Sequence, residues 1–243
     1  MKLQFNYDSV AEYYNDLMQF IAYKKWASYI VGLYYKEGAS GSRFLDLGAG
    51  TGSLAYELSR HNLDIWCLDN SLEMLRMIHR RTESIDRIHV ITGDMRQIPL
   101  REGFDAAVCM YDTVNHFNKD DMSRVFTNVY DVLRDNGLFY FDFNTKRGLE
   151  SFADGDFIRR SAGLTSEWKS DYSSQTGVCK LTLIIYEGGN VRQTLSFSER
   201  SVSIDEAEEA VYRAGFSHCR ILEFLTDNPA GSNTERGFAV CRK

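Results

Sequence analysis

Apolar positions recur near helical spacing over residues 8–35, at Val10, Tyr14, Leu17, Ile21, Ile30, Leu33 and Tyr34, which predicts a helical N-terminal segment. The pattern then changes. Short apolar runs at 43–47, 64–68, 88–92, 104–110 and 137–143 predict strands, and the stretches 51–61, 71–83 and 120–134 predict helices. Alternation of this kind is the signature of a parallel sheet with crossover helices on both faces.

After residue 145 the alternation stops. Segments 165–174, 178–187 and 191–202 are rich in Thr, Ser, Tyr and Val with alternating polarity. Gly177 and the run Gly188, Gly189, Asn190 separate them, so they predict an antiparallel meander. A helix over 205–214 follows, capped by Ser203 or Asp205 and stopped at Gly215, and strands near 217–225 and 236–242 end the chain. The expected fold class is α/β. A seven-stranded, doubly wound Rossmann-like sheet would carry an N-terminal helical cap (1–40) and an antiparallel β insert (145–202) on the substrate side. The core would be split between 41–144 and 203–243.

Three sites along these strands carry chemistry. Phe44-Leu45-Asp46-Leu47-Gly48-Ala49-Gly50-Thr51-Gly52-Ser53 runs from a strand through a glycine-rich turn into a helix. Glycines let a ligand approach the backbone, and the helix N-terminus offers free N–H groups. The dinucleotide fingerprint reads G-x-G-x-x-G/A, whereas these glycines follow G-x-G-x-G with Ser53 at the third dinucleotide position. Asp46 inside the strand suits a zwitterionic amino-acid ligand better than a pyrophosphate. Asp69 ends the next strand, where a carboxylate accepts the hydroxyls of a ribose; this signals a nucleoside without naming it. Gly93-Asp94-Met95 follows the third strand, where an acid accepts an exocyclic adenine amine and the next backbone N–H donates to the ring.

Charge and composition narrow the partners. The net charge of −6 disfavours general binding to nucleic acid. Arg76, Arg80, Arg81 and Arg87 read as a solvated helix face. Five cysteines (67, 109, 179, 219 and 241) lie at no metal-ligand spacing, and three fall within strand-like runs. Buried reduced thiols, and an N-terminus without the apolar stretch of a signal peptide, predict a cytoplasmic protein with no metal. No run approaches a membrane span. The only prolines are Pro99 and Pro229, so a site motif with adjacent prolines is impossible. Residues 1–35 hold ten of the 32 aromatics, an excess over the cap.

In order and spacing, DLGAGTG, LDNSLEML, GDM, FDAAVCMYDTVNHF and LRDNGLFYFDF resemble the successive motifs of class I S-adenosylmethionine-dependent methyltransferases over residues 43–143, and the chain's end resembles that fold's last helix and reversed hairpin. The resemblance implies S-adenosyl-L-methionine as cofactor. It sets Gly48, Ala49 and Gly50 against the methionine part, Asp46 at its amino group and Asp69 on the ribose. Asn70 and Met74 would border the adenosine, Asp94 and Met95 would hold the adenine, and Met110 and Tyr111 would close the site. Val10-Ala11-Glu12-Tyr13-Tyr14 and Tyr23-Lys24-Lys25-Trp26 look like the cap of small-molecule N-methyltransferases such as those acting on glycine and amino sugars. Asp112 to Phe117 looks like their loop after the fourth strand. Tyr14 and His116 would then face the reaction, His116 as base or cofactor ligand. Those enzymes can use an N-terminal arginine for the cofactor carboxylate; residues 1–42 contain none, which leaves Lys24 or Lys25.

The expected activity is methyl transfer to a nitrogen or oxygen of a small-molecule acceptor. Action on tRNA or protein is the alternative; an NAD-dependent oxidoreductase and a non-catalytic cofactor-binding protein are further readings. Trp168, Tyr172 and Tyr186 would line an acceptor pocket or pack the meander.

Overall fold

The computed structural model describes residues 7–82, 85–101, 103–153, 155–161 and 163–243. Five apolar runs pair side by side as parallel strands: β1 (Arg43–Leu47), β2 (Asp64–Asp69), β3 (Ile88–Thr92), β4 (Phe104–Cys109) and β5 (Leu133–Asn144). Strands covered on both faces read as near-continuous hydrophobic runs, which is why they stand out in the sequence. Two antiparallel strands, β10 (His218–Glu223) and β11 (Arg236–Arg242), complete a seven-stranded sheet in the order β10-β11-β5-β4-β1-β2-β3. β1 is flanked by β4 and β2, so the strand order reverses there. A crevice opens beyond the strand C-termini at such a point.

Helices fill both faces. Phe139, Phe141 and Phe143 of β5 point to one side and pack in the cluster that includes α5 (Lys119–Val132) and α7 (Ile204–Arg213). Leu138 and Tyr140 point to the other, with α2 (Tyr23–Lys36), α3 (Ser53–Ser59) and α4 (Leu72–Thr82). By the same two-residue alternation Asp142 falls in the second row, where it is fully buried. Ser203 caps α7 by accepting from the Glu206 N–H. Residue 83, the last of the helix predicted over 71–83, and residues 1–6 of the expected cap lie outside the described residues.

The N-terminal segment is not one helix. A 3₁₀ turn (Tyr7–Ser9) and α1 (Ala11–Leu17) are separated from α2 by a bend. The two stretches serve different surfaces. Val10, Leu17 and Met18 pack with Trp168, Leu183 and Leu195 of a second sheet, whereas Trp26, Ile30 and Tyr34 pack on the main one. A straight helix cannot reach both. Asp8 fastens the turn to the start of α4, accepting from the Ser71 hydroxyl at 2.5 Å.

The second sheet has four antiparallel strands: β6 (Phe157–Ser161), β7 (Leu164–Ser173), β8 (Val178–Glu187) and β9 (Asn190–Arg200). The sequence missed β6, whose paired arginines hide its alternation, and α6 (Lys146–Ala153), where Leu149 is the buried side chain. α6 crosses β11's approach closely: a Cβ built on Gly148 would stand 2.1 Å from the Glu235 carbonyl oxygen. That neighbour is backbone and cannot rotate away. Gly148→Ala is expected to destabilise the fold by about 1–3 kcal/mol, the range for overpacking, read as a lower midpoint in urea unfolding.

Candidate active site

The strand-to-helix turn after β1 is wound as the glycines allow. Gly48, Gly50 and Gly52 all have positive φ, at +68°, +55° and +73°. A Cβ on Gly48 would meet Thr113 at 3.0 Å and Met95 at 3.3 Å, so space as well as φ requires glycine there. The Gly48 and Ala49 N–H groups donate to the Leu68 carbonyl. Gly50 N–H donates to Asp69 Oδ2 at 2.8 Å and Ser71 N–H to Oδ1 at 2.9 Å, fixing that carboxylate at the crevice.

Two cavities open beside this turn. The first, about 520 Å³, is lined by Gly48, Gly50, Asp69, Asn70, Met74, Asp94, Met95 and Met110, among others. The second, about 340 Å³, lies between the main sheet and the insert, with Trp168, Leu181, Leu183, Phe197 and Glu199 in its wall. Tyr7, Tyr14, Tyr111 and His116 line both. Most sequence-predicted residues therefore meet around one space.

Four expectations change. Asp46 and Ala49 are not among the residues lining either cavity. Asp46 is buried beneath the turn with no hydrogen bond to Oδ2, and burial, with Asp69 nearby, raises its carboxyl to about 7. Asp94 does line the cavity, but the Arg96 guanidinium holds it, with Nε at 2.9 Å and Nη2 at 2.5 Å from Oδ2, and lowers its pKa. Lys24 and Lys25 are exposed on α2; the cation that reaches the turn is Arg81, which donates to Ser53 Oγ at 2.9 Å. Finally, of the aromatics expected on the insert, Trp168 lines the smaller cavity, while Tyr172 and Tyr186 lie outside both.

His116 closes a 3₁₀ turn (Thr113–His116) after β4. Burial lowers its pKa, so the ring is neutral near pH 7. It hydrogen-bonds the backbone of Ser198, which leaves Nε2, 3.0 Å from Tyr7 Oη, to accept from that hydroxyl. Burial also raises the Tyr7 phenol well above its ordinary value, so the hydroxyl keeps its proton.

No sequence pattern pointed to the charges behind this pair. Tyr111 and Asp112 both take left-handed backbone, φ +64° and +50°, a strained arrangement for a tyrosine. Asp142 Oδ2 accepts from the Asp112 N–H at 3.1 Å and holds Arg236 at 2.5–2.6 Å. Arg236 also reaches Asp112 at 3.9 Å and stacks over Phe224. Asn144 donates to Asp112 at 3.0 Å and to Glu199 at 3.3 Å. The partners lie in the loop after β4 and on β5, β9 and β11, too far apart in sequence for spacing to betray them; the left-handed Tyr-Asp step has no sequence signature either.

Comparison with known proteins agrees with this architecture. A family model described as a methyltransferase domain matches residues 44–137. Putative methyltransferase YqeM of Bacillus subtilis (strain 168) is 27% identical over 243 residues, spanning 98% of this chain and 97% of that protein. The crystal structure of an S-adenosylmethionine-dependent methyltransferase from Clostridium acetobutylicum superposes with a TM-score of 0.83 at 21% identity, covering 97% of this chain and 98% of that one. CalS10, an amino pentose methyltransferase from Micromonospora echinaspora solved with S-adenosylmethionine bound, gives 0.72 at 19% identity, with 92% of each chain covered.

Arg236 is the only guanidinium that touches Asp142 among the described residues. Replacing it with methionine leaves buried carboxylates without a counter-charge, and Arg236→Met is expected to cost about 3–5 kcal/mol in denaturant unfolding. Residues 44–137 match a methyltransferase domain, and the chain as a whole has the α/β fold of the S-adenosylmethionine-dependent methyltransferases it is similar to.

Proposed function

We propose that the enzyme transfers a methyl group to a nitrogen or oxygen of a small molecule held in the 340 Å³ cavity. The observation that carries this reading is the meeting of two cavities at Tyr7, Tyr14, Tyr111 and His116. A volume of this size suits a small ligand. The cap (1–40) and insert (145–202) would shield it from water around the core of 41–144 and 203–243. Five free, buried cysteines fit a cytoplasmic setting, and no helix among the described residues is long and apolar enough to cross a membrane.

The residues fit the cofactor. The larger cavity offers a carboxylate at Asp69 for a ribose and a glycine at 48 where a side chain would crowd the wall, and beneath the turn, behind the cavity lining, lies an orphan Asp46 oxygen that an amino group would meet. Gly50 and Ala49 would contribute the turn, with Asn70, Met74 and Met95 along the adenosine and Met110 and Tyr111 closing it. Asp94 would take the adenine amine once Arg96 moves to Asp121, already 3.6 Å away. When bound, the cofactor supplies a methyl group already activated on a sulfonium. The protein's work is then to position the acceptor and accept its proton. Tyr14 presents its ring at the junction. A proton leaving the acceptor would pass to the Tyr7 oxygen as the Tyr7 hydrogen moves to His116 Nε2, and the imidazolium would be stabilised by nearby Asp112.

Calorimetric titration with S-adenosylmethionine, followed by a screen of small nucleophiles for S-adenosylhomocysteine release, tests the reading; failure to bind overturns it. In that assay His116→Ala should lower kcat by about 10²-fold or more with cofactor affinity retained. A loss confined to affinity would make His116 a ligand instead of a base.

Asp46 supplies a pH test. Its raised carboxyl is ionised above about 7 and neutral below. An ammonium binds the ionised form, so affinity is present at high pH and lost as pH falls through that value. The dissociation constant of S-adenosylhomocysteine should rise from pH 8 to pH 6, approaching about tenfold per unit below the pKa, and Asp46→Asn should flatten the curve.

A further inference from the structure

The second cavity has a chemical asymmetry that methyl transfer alone does not require. Along β9, Leu195, Phe197 and Glu199 share one face by strand alternation, so a carboxyl stands in an otherwise apolar row. Glu199 is only 7% exposed, yet it lines the cavity. Asp112 lines it as well, and Asn144 bridges the two carboxyls with its single amide.

The charges do not cancel there. Arg236 is the one guanidinium in contact with this group, and it is committed to Asp142 at 2.5 Å, with Asp112 Oδ1 at 3.9 Å. Burial and the neighbouring Asp112 push the Glu199 carboxyl well above its ordinary value. Among the described residues, the two carboxyls that face the cavity have no guanidinium nearer than Arg236, 3.9 Å from Asp112. The other charges on the wall, Arg159 and the exposed Glu235, are of opposite sign, and His116 is neutral.

The rest of the wall also suits a cation. Tyr7, Phe157, Trp168 and Phe197 put aromatic rings around the cavity, and Trp168 stands edge-on to Phe197 at 6.5 Å. Ring faces attract an alkylammonium group, while the apolar remainder accommodates a hydrocarbon body. A neutral hydroxyl acceptor would leave the carboxyl pair without a charge partner.

We propose that the acceptor is a monoamine with an apolar body, bound as its aminium ion, and that Glu199 together with Asp112 sets this specificity. The inference rests on the proposed methyl transfer in this cavity and names its substrate class. Glu199 and Asp112 bind the aminium ion and set specificity; its proton leaves along the Tyr7–His116 path before the freed amine lone pair takes the methyl group.

The test measures binding of matched probes to the enzyme saturated with S-adenosylhomocysteine. 2-Phenylethylamine is compared with 2-phenylethanol, and cyclohexylmethylamine with cyclohexylmethanol, by calorimetry. In the native protein the amine of at least one pair should bind tenfold or more tighter than its alcohol, about what one charge-assisted hydrogen bond contributes. Glu199→Gln, and separately Asp112→Asn, should collapse that ratio to about threefold or less by weakening the amine and leaving the alcohol unchanged. Asparagine tolerates the left-handed backbone at 112. S-adenosylhomocysteine affinity within about twofold of native shows that each variant is folded. Equal binding of amine and alcohol, no binding of either amine, or an unchanged ratio in both folded variants overturns the proposal. The native ratio decides even where a variant fails to fold. Failure of the native protein to bind S-adenosylhomocysteine is a different result, and removes the methyltransferase reading of the site itself.

Discussion

Asn115 is fully buried, and its side-chain amide joins three distant segments. Nδ2 donates to the carbonyls of Asn144 and Arg200 at 2.8 Å each, and Oδ1 accepts from the Asn144 N–H at 2.9 Å. The loop after β4, the end of β5 and the end of β9 are thereby held at one point. Each buried bond contributes about 1 kcal/mol net, but an orphaned partner costs more, so the three segments are fixed together. Four polar groups of the 340 Å³ cavity are near neighbours, in sequence, of this amide or its partners. Asp112 and His116 lie in its own loop, Asn144 is its partner, and Glu199 precedes Arg200. One side chain fixes the relation of the main sheet to the insert, and with it the cavity between them.

That arrangement stores unfavourable terms in a small volume. Tyr111 and Asp112 occupy left-handed backbone, at a cost of order 1–3 kcal/mol each. Asp142 is fully buried with Oδ1 lacking a hydrogen bond, and Glu199 is nearly as buried. Close packing elsewhere offsets them. Phe126, Phe139 and Phe141 interlock with centroids 4.6–5.3 Å apart on one face of the sheet, and Tyr34 meets Phe44 at 4.8 Å on the other. Regular, apolar and legible parts of the chain hold an irregular and charged part in place.

The same division explains what the sequence disclosed. The parallel strands and the glycine turn are local: an apolar run, a φ requirement and a carboxylate at a strand end all lie within a few residues of each other. Asp69 and Gly48 could be read for that reason. Glu199, Arg236 and Asn115 could not. Arg236 meets Asp142 across 94 positions and Asn115 meets Arg200 across 85, and neither pairing leaves a periodicity. Spacing placed Asp94 at the cavity, where it stands, but did not disclose that Arg96, two residues on, holds its carboxylate. The helix expected over 8–35 had continuous apolar spacing, yet its two ends belong to different surfaces, a fact set by the insert and not by the segment.

The aromatic excess of the N-terminus takes its meaning from that division of surfaces. An aliphatic cap would close the cavities as well against water, but it would present no polar tip. Tyr7 packs edge-on to Tyr14 and to His116 while its hydroxyl meets His116 Nε2. Tyr111 does the same from the other side, with Trp26 beside its ring and its hydroxyl on Met18. Tyrosine combines a rigid apolar face with a hydrogen-bonding edge. Asp8 ties the Tyr7 turn to the start of α4 beside Asp69 and Met74, while Val10, Leu17 and Met18 pack on the second sheet, so the cap is anchored to the walls of both cavities that its tyrosines line.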